Sequence, residues 1–410
     1  MPLVSSDPPG LVPGRPRRDP LPVAGLTVLA VAVFAAITTE VLPVGLLPVM
    51  AGDLSTTESR IGLLVSAYAV VVAIGSLPLA ALLSRWPKKP VLAALLCGYA
   101  LSNAVVIGTD QYWVAFGARL FGGLVHAGFF SVVFAAAAGI ATPGRAGRAI
   151  AVVSGGVVVA LALGVPLGTA VGTAFGWRWA FAGSTAMILA LAAAIALVFP
   201  TVERPTRAAG GSVLAAARRG PLIGVAAITV VATMGNNTLY TYISPLLGAA
   251  GIPAGGVAPV LFGYGAAGVL GLVVAGALVD RRPHRTLQVT VAGTAGCLLA
   301  LGLLAHSATG TVLATILWGG TFGALPVLLQ SAALAAAPDS PDAAPAVVNA
   351  TFNVGIAGGS FLGARELLVA PASTLAFTAA ALLAGALVLV SLRVGQRGAG
   401  PPRPATTPTR

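Results

Sequence analysis

Twelve runs of mainly apolar residues, each long enough to cross a lipid bilayer, leave this chain few ways to fold. They cover 21–50, 61–84, 90–109, 112–138, 148–173, 177–200, 220–249, 255–280, 286–306, 310–337, 344–364 and 371–393. A crossing helix needs about 20 such residues. In hydrocarbon every backbone N–H and C=O must find its partner within the protein, so each run is expected to be an α-helix. The strand-length alternation of a membrane β-barrel is absent. Only 8% of the 410 residues are charged, against about 25% in a soluble domain. The fold class that follows is all-α integral membrane.

The net charge of +12 does not point to nucleic acid, because the basic residues sit in short clusters between apolar runs. With the N-terminus inside, 19 of the 23 Lys and Arg residues fall on the cytoplasmic side, from Arg15, Arg17 and Arg18 through Arg85, Lys88 and Lys89 to Arg410. The four others are Arg119, within a run, and Arg60, Arg178 and Arg365, at or near outer ends. That bias orients both termini to the cytoplasm. The first apolar run is about twice the length of a signal-peptide core and more runs follow, so it reads as a span rather than a cleaved leader. Residues 1–20 and 394–410 are polar or rich in proline and read as disordered tails. Cys97 and Cys297 both lie in apolar runs, so no disulfide framework or metal site is indicated.

The longest internal polar break, 201–219, divides the spans into six and six, giving bundles at 21–200 and 220–393. Leu82, Arg85 and Pro87 recur 196 residues later as Leu278, Arg281 and Pro283, in the turn after the second span of each half. Parallel repeats with a binding site between them at mid-membrane are a recurring transporter architecture.

Gly276 through Asp280, Arg281, Arg282 and Arg285 resembles the G-x-L-a-D-R-x-G-R-R loop of the major facilitator superfamily, and Ala80 to Lys89 is a degenerate copy with Ser84 in place of the Asp. Arg119-Leu-Phe-Gly-Gly123 resembles the R-x-x-x-G signature of that family's drug-exporter branch. Gly156 through Gly164, Pro166 and Gly168 resembles its antiporter signature, and Gly176-Trp177-Arg178-Trp179 follows it. Thr39-Glu40-Val with Gly45 to Pro48, and Asn349 with Asn353-Val-Gly355, are similar to its arabinose-efflux and chloramphenicol-exporter group. The resemblance implies two six-helix bundles, proton-coupled export, and conformational roles for Arg85, Asp280, Arg281, Arg285, Gly156, Gly164, Pro166 and Gly168.

An ionisable group inside a span is costly and therefore a functional candidate. Glu40, Arg119 and His126 are the deepest. Glu40 in the outer half of the first span and Arg119 in the outer part of the fourth are expected at similar depth. Burial and a neighbouring cation act in opposite senses on a carboxyl's proton affinity, which suits proton coupling; a static structural pair is the alternative. Arg119, Gly122, Gly123 and His126 share one helical face, where His126 either relays protons or is a hydrogen-bonded structural group. Asn236, Asn237, Tyr240, Tyr242, Gln330 and Asn353 are candidate substrate contacts, amides and phenols among apolar walls. The tyrosines are alternatively interfacial anchors.

No phosphate-binding loop, zinc-protease or serine-hydrolase motif is present, and the loops are too short for a catalytic domain. Neither enzyme activity nor a cofactor is expected. The expected function is secondary active efflux of small amphipathic compounds, coupled to protons, by a monomer in a bacterial plasma membrane. Sugar or metabolite transport, and a non-transporting receptor or assembly factor, are the alternatives.

Overall fold

The computed structural model describes residues 23–142, 145–199, 220–279, 282–337 and 343–398. The polar tails, the 201–219 segment, Asp280 and Arg281 lie outside those residues. Among the described residues the chain is helical with no strand. The elements are α1 Val23–Asp53, α2 Glu58–Leu83, α3 Lys88–Ile107, α4 Tyr112–Ile140, α5 Ala146–Phe175, α6 Trp177–Val198, α7 Gly220–Tyr240, α8 Ile243–Ala249, α9 Ala254–Val279, α10 Pro283–Leu303, α11 Ala308–Ala336, α12 Ala343–Leu367 and α13 Thr374–Gly398. Twelve of these thirteen are long and apolar enough to cross a bilayer. The short one is α8. The 220–249 run, expected as a single span, is interrupted at Thr241 and Tyr242 and continues as α8.

Short polar turns separate the helices. Thr57 caps α2, its hydroxyl accepting from Arg60 N at 3.3 Å, and Ser307 caps α11 by accepting from Gly310 N at 3.1 Å. At the same end of the molecule Arg178, in the first turn of α6, donates to Asp53 at 2.8 Å and Asp110 at 2.6 Å, and to the carbonyls of Ile107 and Thr109. Trp177 Nε1 also donates to Asp53, at 2.9 Å. Exposed ion pairs contribute little singly, but this one side chain ties together the ends of α1, α3 and α6.

Helix α5 carries a π-helical turn at Ala160–Gly164. Pro166 has no N–H to give the carbonyl of Ala162, four residues earlier, and the Val165 N–H reaches back five residues to Ala160 O. Gly156, Gly164 and Gly168 lie against α1, where added β-carbons would meet the Ala30 carbonyl and the side chains of Thr38 and Leu42.

The two sets of six spans meet through α2 against α12, α5 against α9 and α1 against α8. Hydrogen bonds join them. Ser59 Oγ donates to Ala364 O at 2.7 Å, Ser66 Oγ to Ala357 O at 2.8 Å and Ser244 Oγ to Val44 O at 3.0 Å. Each lies toward the end of the molecule that carries the Leu54–Thr57 loop, so that end is sealed. Two glycines make the seal possible. Gly62 lies against the ring and hydroxyl of Tyr242, and Gly265 lies against the backbone of Leu161 and Ala162 at the π turn. Beyond Gly265 the α9 side chains Leu270, Val273, Val274 and Leu278 are exposed. Arg85 and Arg285, at the opposite end, are exposed too and form no ion pair among the described residues.

A β-carbon at Gly62 cannot coexist with Tyr242 in this arrangement. With Cys97 and Cys297 replaced, a cysteine placed at the buried Ser66 should resist an aqueous maleimide. Adding Gly62→Val should raise its labelling rate by about tenfold, equivalent to ~1.4 kcal/mol on the closing equilibrium. An unchanged rate would mean the seal does not depend on that contact.

Candidate functional site

The site is organised by two prolines of α1. A helical carbonyl normally accepts from the N–H four residues on. Pro43 cannot supply that donor to Thr39, nor Pro48 to Val44. Both carbonyls are buried, where an unpaired polar group costs roughly 1–3 kcal/mol. Both find side-chain donors instead. Arg119 Nη1 donates to Thr39 O at 3.1 Å while its Nη2 donates to Glu40 O at 2.7 Å. Ser244, on α8, serves Val44.

Arg119 and Glu40, expected at similar depth, do lie side by side, but the guanidinium does not take the carboxylate as its hydrogen-bond partner. It binds backbone instead, because the carbonyl freed by Pro43 needs a donor. It is only 1% exposed, lies over the Tyr68 ring at 4.4 Å, and leaves its Nε without a partner among the described residues. The group that faces the carboxylate is His126, with Nε2 3.7 Å from Glu40 Oε2. Its Nδ1 lies 2.9 Å from the Tyr68 hydroxyl, and its ring stacks on Phe130 at 4.4 Å. When Tyr68 donates to Nδ1, the ring hydrogen sits on Nε2 and points toward the carboxylate. At 3.7 Å the contact is electrostatic rather than a formed hydrogen bond, and a small displacement would close it. Tyr68 on α2 thus orients a histidine on α4 toward a carboxylate on α1.

The α4 glycines permit this closeness. Gly123 lies against the backbone oxygen of Tyr68, and Gly122 against Ser102 and the Tyr68 ring. Glu40 and His126 are both buried.

The second set of spans holds a different cluster. Asn236 on α7 accepts at Oδ1 from Trp318 Nε1 on α11, at 3.1 Å. Tyr240 and Tyr264 lie with ring centres 5.2 Å apart, and Trp318 meets both edge-on, at 6.0 and 5.0 Å. Tyr242 is elsewhere, its hydroxyl donating to Ser360 O at 2.8 Å in the seal. Asn237 and Asn353 turn their Nδ2 back to carbonyls of their own helices, Thr233 and Asn349. Gln330 is half-buried. The structure therefore brings Glu40 and His126 together, and Asn236 with Tyr240, and places Tyr242 apart from both.

Tyr68, Trp318, Tyr264 and Gly265 carry weight that their residue types do not signal. Aromatic and small residues are common in apolar runs, so none stood out by type. One signal was available: a proline four residues after a buried carbonyl marks a place where a donor must come from another helix.

The chain is similar to known proteins over most of its length. Residues 29–364 match the Major Facilitator Superfamily. A protein named chloramphenicol efflux pump in Mycobacterium tuberculosis strain H37Rv is 31% identical over 381 residues, covering 90% of this chain and 92% of the relative. Its counterpart in strain CDC 1551 matches equally. The crystal structure of the human organic anion transporter MFSD10 superposes with a TM-score of 0.66 at 17% identity, covering 91% of this chain and all of that one. The fold and the sequence agree: the chain belongs to the major facilitator superfamily.

Proposed function

We propose that this protein exports small amphipathic drugs from a bacterial cytoplasm, chloramphenicol among them, and that protons moving inward through Glu40 drive the export. Relatives named as efflux pumps along nearly the whole chain support the export of a drug. The coupling reading rests on one observation above others, the buried Glu40 carboxylate facing His126.

The bias of Lys and Arg toward one face supports a cytoplasmic N-terminus. The sealed end then faces outward, and the arrangement is the one that loads from the cytoplasm. Opening the seal separates Ser244 from Val44 and exposes the Glu40 side to the outer medium, where a proton is taken. Re-closing delivers that proton to the cytoplasmic side. His126, oriented by Tyr68, is placed to exchange a proton with the carboxyl. Arg119 is pinned by two carbonyls, so its charge stays at a fixed place beside the carboxyl throughout. The path lies within one chain, and a monomer suffices.

In energised inverted vesicles, chloramphenicol should trigger a proton movement that Glu40→Gln lacks. Drug flux in the variant should fall by roughly two orders of magnitude, as on loss of a proton-transfer group elsewhere. Full proton movement in the variant would remove Glu40 from the path.

Arg119→Lys keeps the charge but offers a point donor where two carbonyls need a fork. It should lower stability by about 1–3 kcal/mol in detergent unfolding and reduce flux at least about tenfold. Wild-type stability and flux would show that the two carbonyl bonds are dispensable.

A further inference from the structure

The two halves repeat at one interval. Helix α9 begins and ends 196 residues after α2, and α11 begins and ends 196 residues after α4. A contact repeats with them. A β-carbon on Gly123 would strike the backbone oxygen of Tyr68, and one on Gly319 would strike that of Tyr264, both pairs being 196 residues apart. The second half is therefore an internal reference for every polar side chain buried in the first. Glu40 answers to Asn236, Tyr99 to Ala295, Asn103 to Leu299, Arg119 to Thr315 and His126 to Phe322. Trp318, packed edge-on against Tyr264, stands where the first half has Gly122. The same helix packing is completed there without a tyrosine, amide, guanidinium or imidazole at those places, so packing does not call for them in the first half.

Three of those first-half side chains have an unpaired atom. Tyr99, Asn103 and Arg119 are each 1% exposed. The Tyr99 hydroxyl, Asn103 Nδ2 and Arg119 Nε have no hydrogen-bond partner among the described residues, and all three carry a hydrogen to donate. They come from one neighbourhood. Asn103 lies four residues after Tyr99, on the same face of α3. Ser102 Oγ donates to Ala118 O at 2.7 Å, which sets this stretch of α3 beside Arg119 on α4. Tyr99 is within electrostatic reach of Arg119 and Glu40, and its ring centre is 6.1 Å from that of His126. Its hydroxyl approaches that of Tyr68 without forming a hydrogen bond. Helix α3 packs on α4 and α6, so the three atoms lie inside the first bundle. A buried polar group without a partner is costly. Buried water characteristically meets that need, binding where about three polar groups converge.

We propose that Tyr99, Asn103 and Arg119 form an internal water site between α3 and α4, and that its water solvates the Glu40 carboxylate once the proton has left. The water oxygen accepts from Arg119 Nε and Asn103 Nδ2, and its own hydrogens are free for the Tyr99 oxygen and for Glu40. The carboxylate has need of such a donor. Arg119 commits both Nη groups to carbonyls, and His126 stops 3.7 Å short. Water supplies the missing hydrogen bond without adding a second fixed charge, so the carboxyl keeps access to both of its forms. The site itself stands apart from transport, whereas the purpose assigned to its water rests on the coupling reading.

Radiolytic hydroxyl-radical labelling of the purified full chain in detergent, read by mass spectrometry, tests the site directly. A buried side chain is oxidised there only where bound water adjoins it. Tyr99 should be oxidised several times faster than Phe181, an aromatic buried just as deeply in the same bundle. Asn103→Leu should abolish that excess and lower the melting temperature, because the water loses a partner. In a dry site the same change removes an unpaired donor and should raise the melting temperature instead. Asn103→Ser, smaller and still polar, should keep the labelling and serves if the apolar variant fails to fold. A wild-type Tyr99 as inert as Phe181, or a more stable Asn103→Leu, would overturn the site. In inverted vesicles Asn103→Leu should slow drug-triggered proton movement several-fold, and an unchanged rate would overturn the purpose given to the water. Labelling as expected with no proton movement even in the wild type would sink the coupling reading and leave the water site standing.

Discussion

A helix in hydrocarbon must satisfy its own carbonyls, and α1 contains two that it cannot. Pro43 and Pro48 withhold the donors that Thr39 and Val44 would normally receive, in a region where water is excluded. The rest of the site follows from how those carbonyls are paired. Arg119 comes from α4 to serve the first, which fixes a cation beside Glu40. Ser244 comes from the other half to serve the second, which makes one hydrogen bond of α1 depend on how the halves are arranged. A carbonyl that is satisfied in one arrangement and released in another is a two-position element, the kind of feature on which alternating access can be built.

The seal has a matching logic. Its contacts are made by small side chains and backbone, with Ser59 and Ser66 against α12 carbonyls and Gly265 against the π turn. Such contacts are close but carry little side-chain interdigitation, so separating them disturbs few rotamers. The π turn adds to this. Its widened backbone, caused by Pro166, is the surface that Gly265 meets.

Much of this was legible in the residues. Hydrocarbon thickness fixes a run length, and the twelve runs became twelve spanning helices. The break at Thr241 and Tyr242 was hidden because hydropathy reports side chains and not backbone pairing. Glu40, Arg119 and His126 stood out because charge inside a span is expensive. Their pairing did not, since opposite charges suggest a carboxylate–guanidinium contact while the freed carbonyl of Thr39 competes for the same donor. Tyr68 and Trp318 were invisible as types and become visible only through the interval that relates the halves. Arg85 and Arg285 lie exposed, and Asp280 and Arg281 fall outside the described residues, so the loop motif stands on its sequence.

Among the described residues Glu40 is the only carboxylate set within a spanning helix away from its ends, and its counterpart in the second half is an amide. On the proposed coupling, that single titratable carboxyl would carry one proton per cycle. Exchanging that proton for an uncharged molecule would move one net charge inward, so membrane voltage would drive export as well as the pH difference. A potential of about 100 mV supplies ~2.3 kcal/mol per charge, which sustains a concentration ratio of roughly fiftyfold. Exchange for a monovalent cation would move no net charge and would forfeit that contribution entirely. That single carboxyl thus bears on how steep a gradient such coupling could hold.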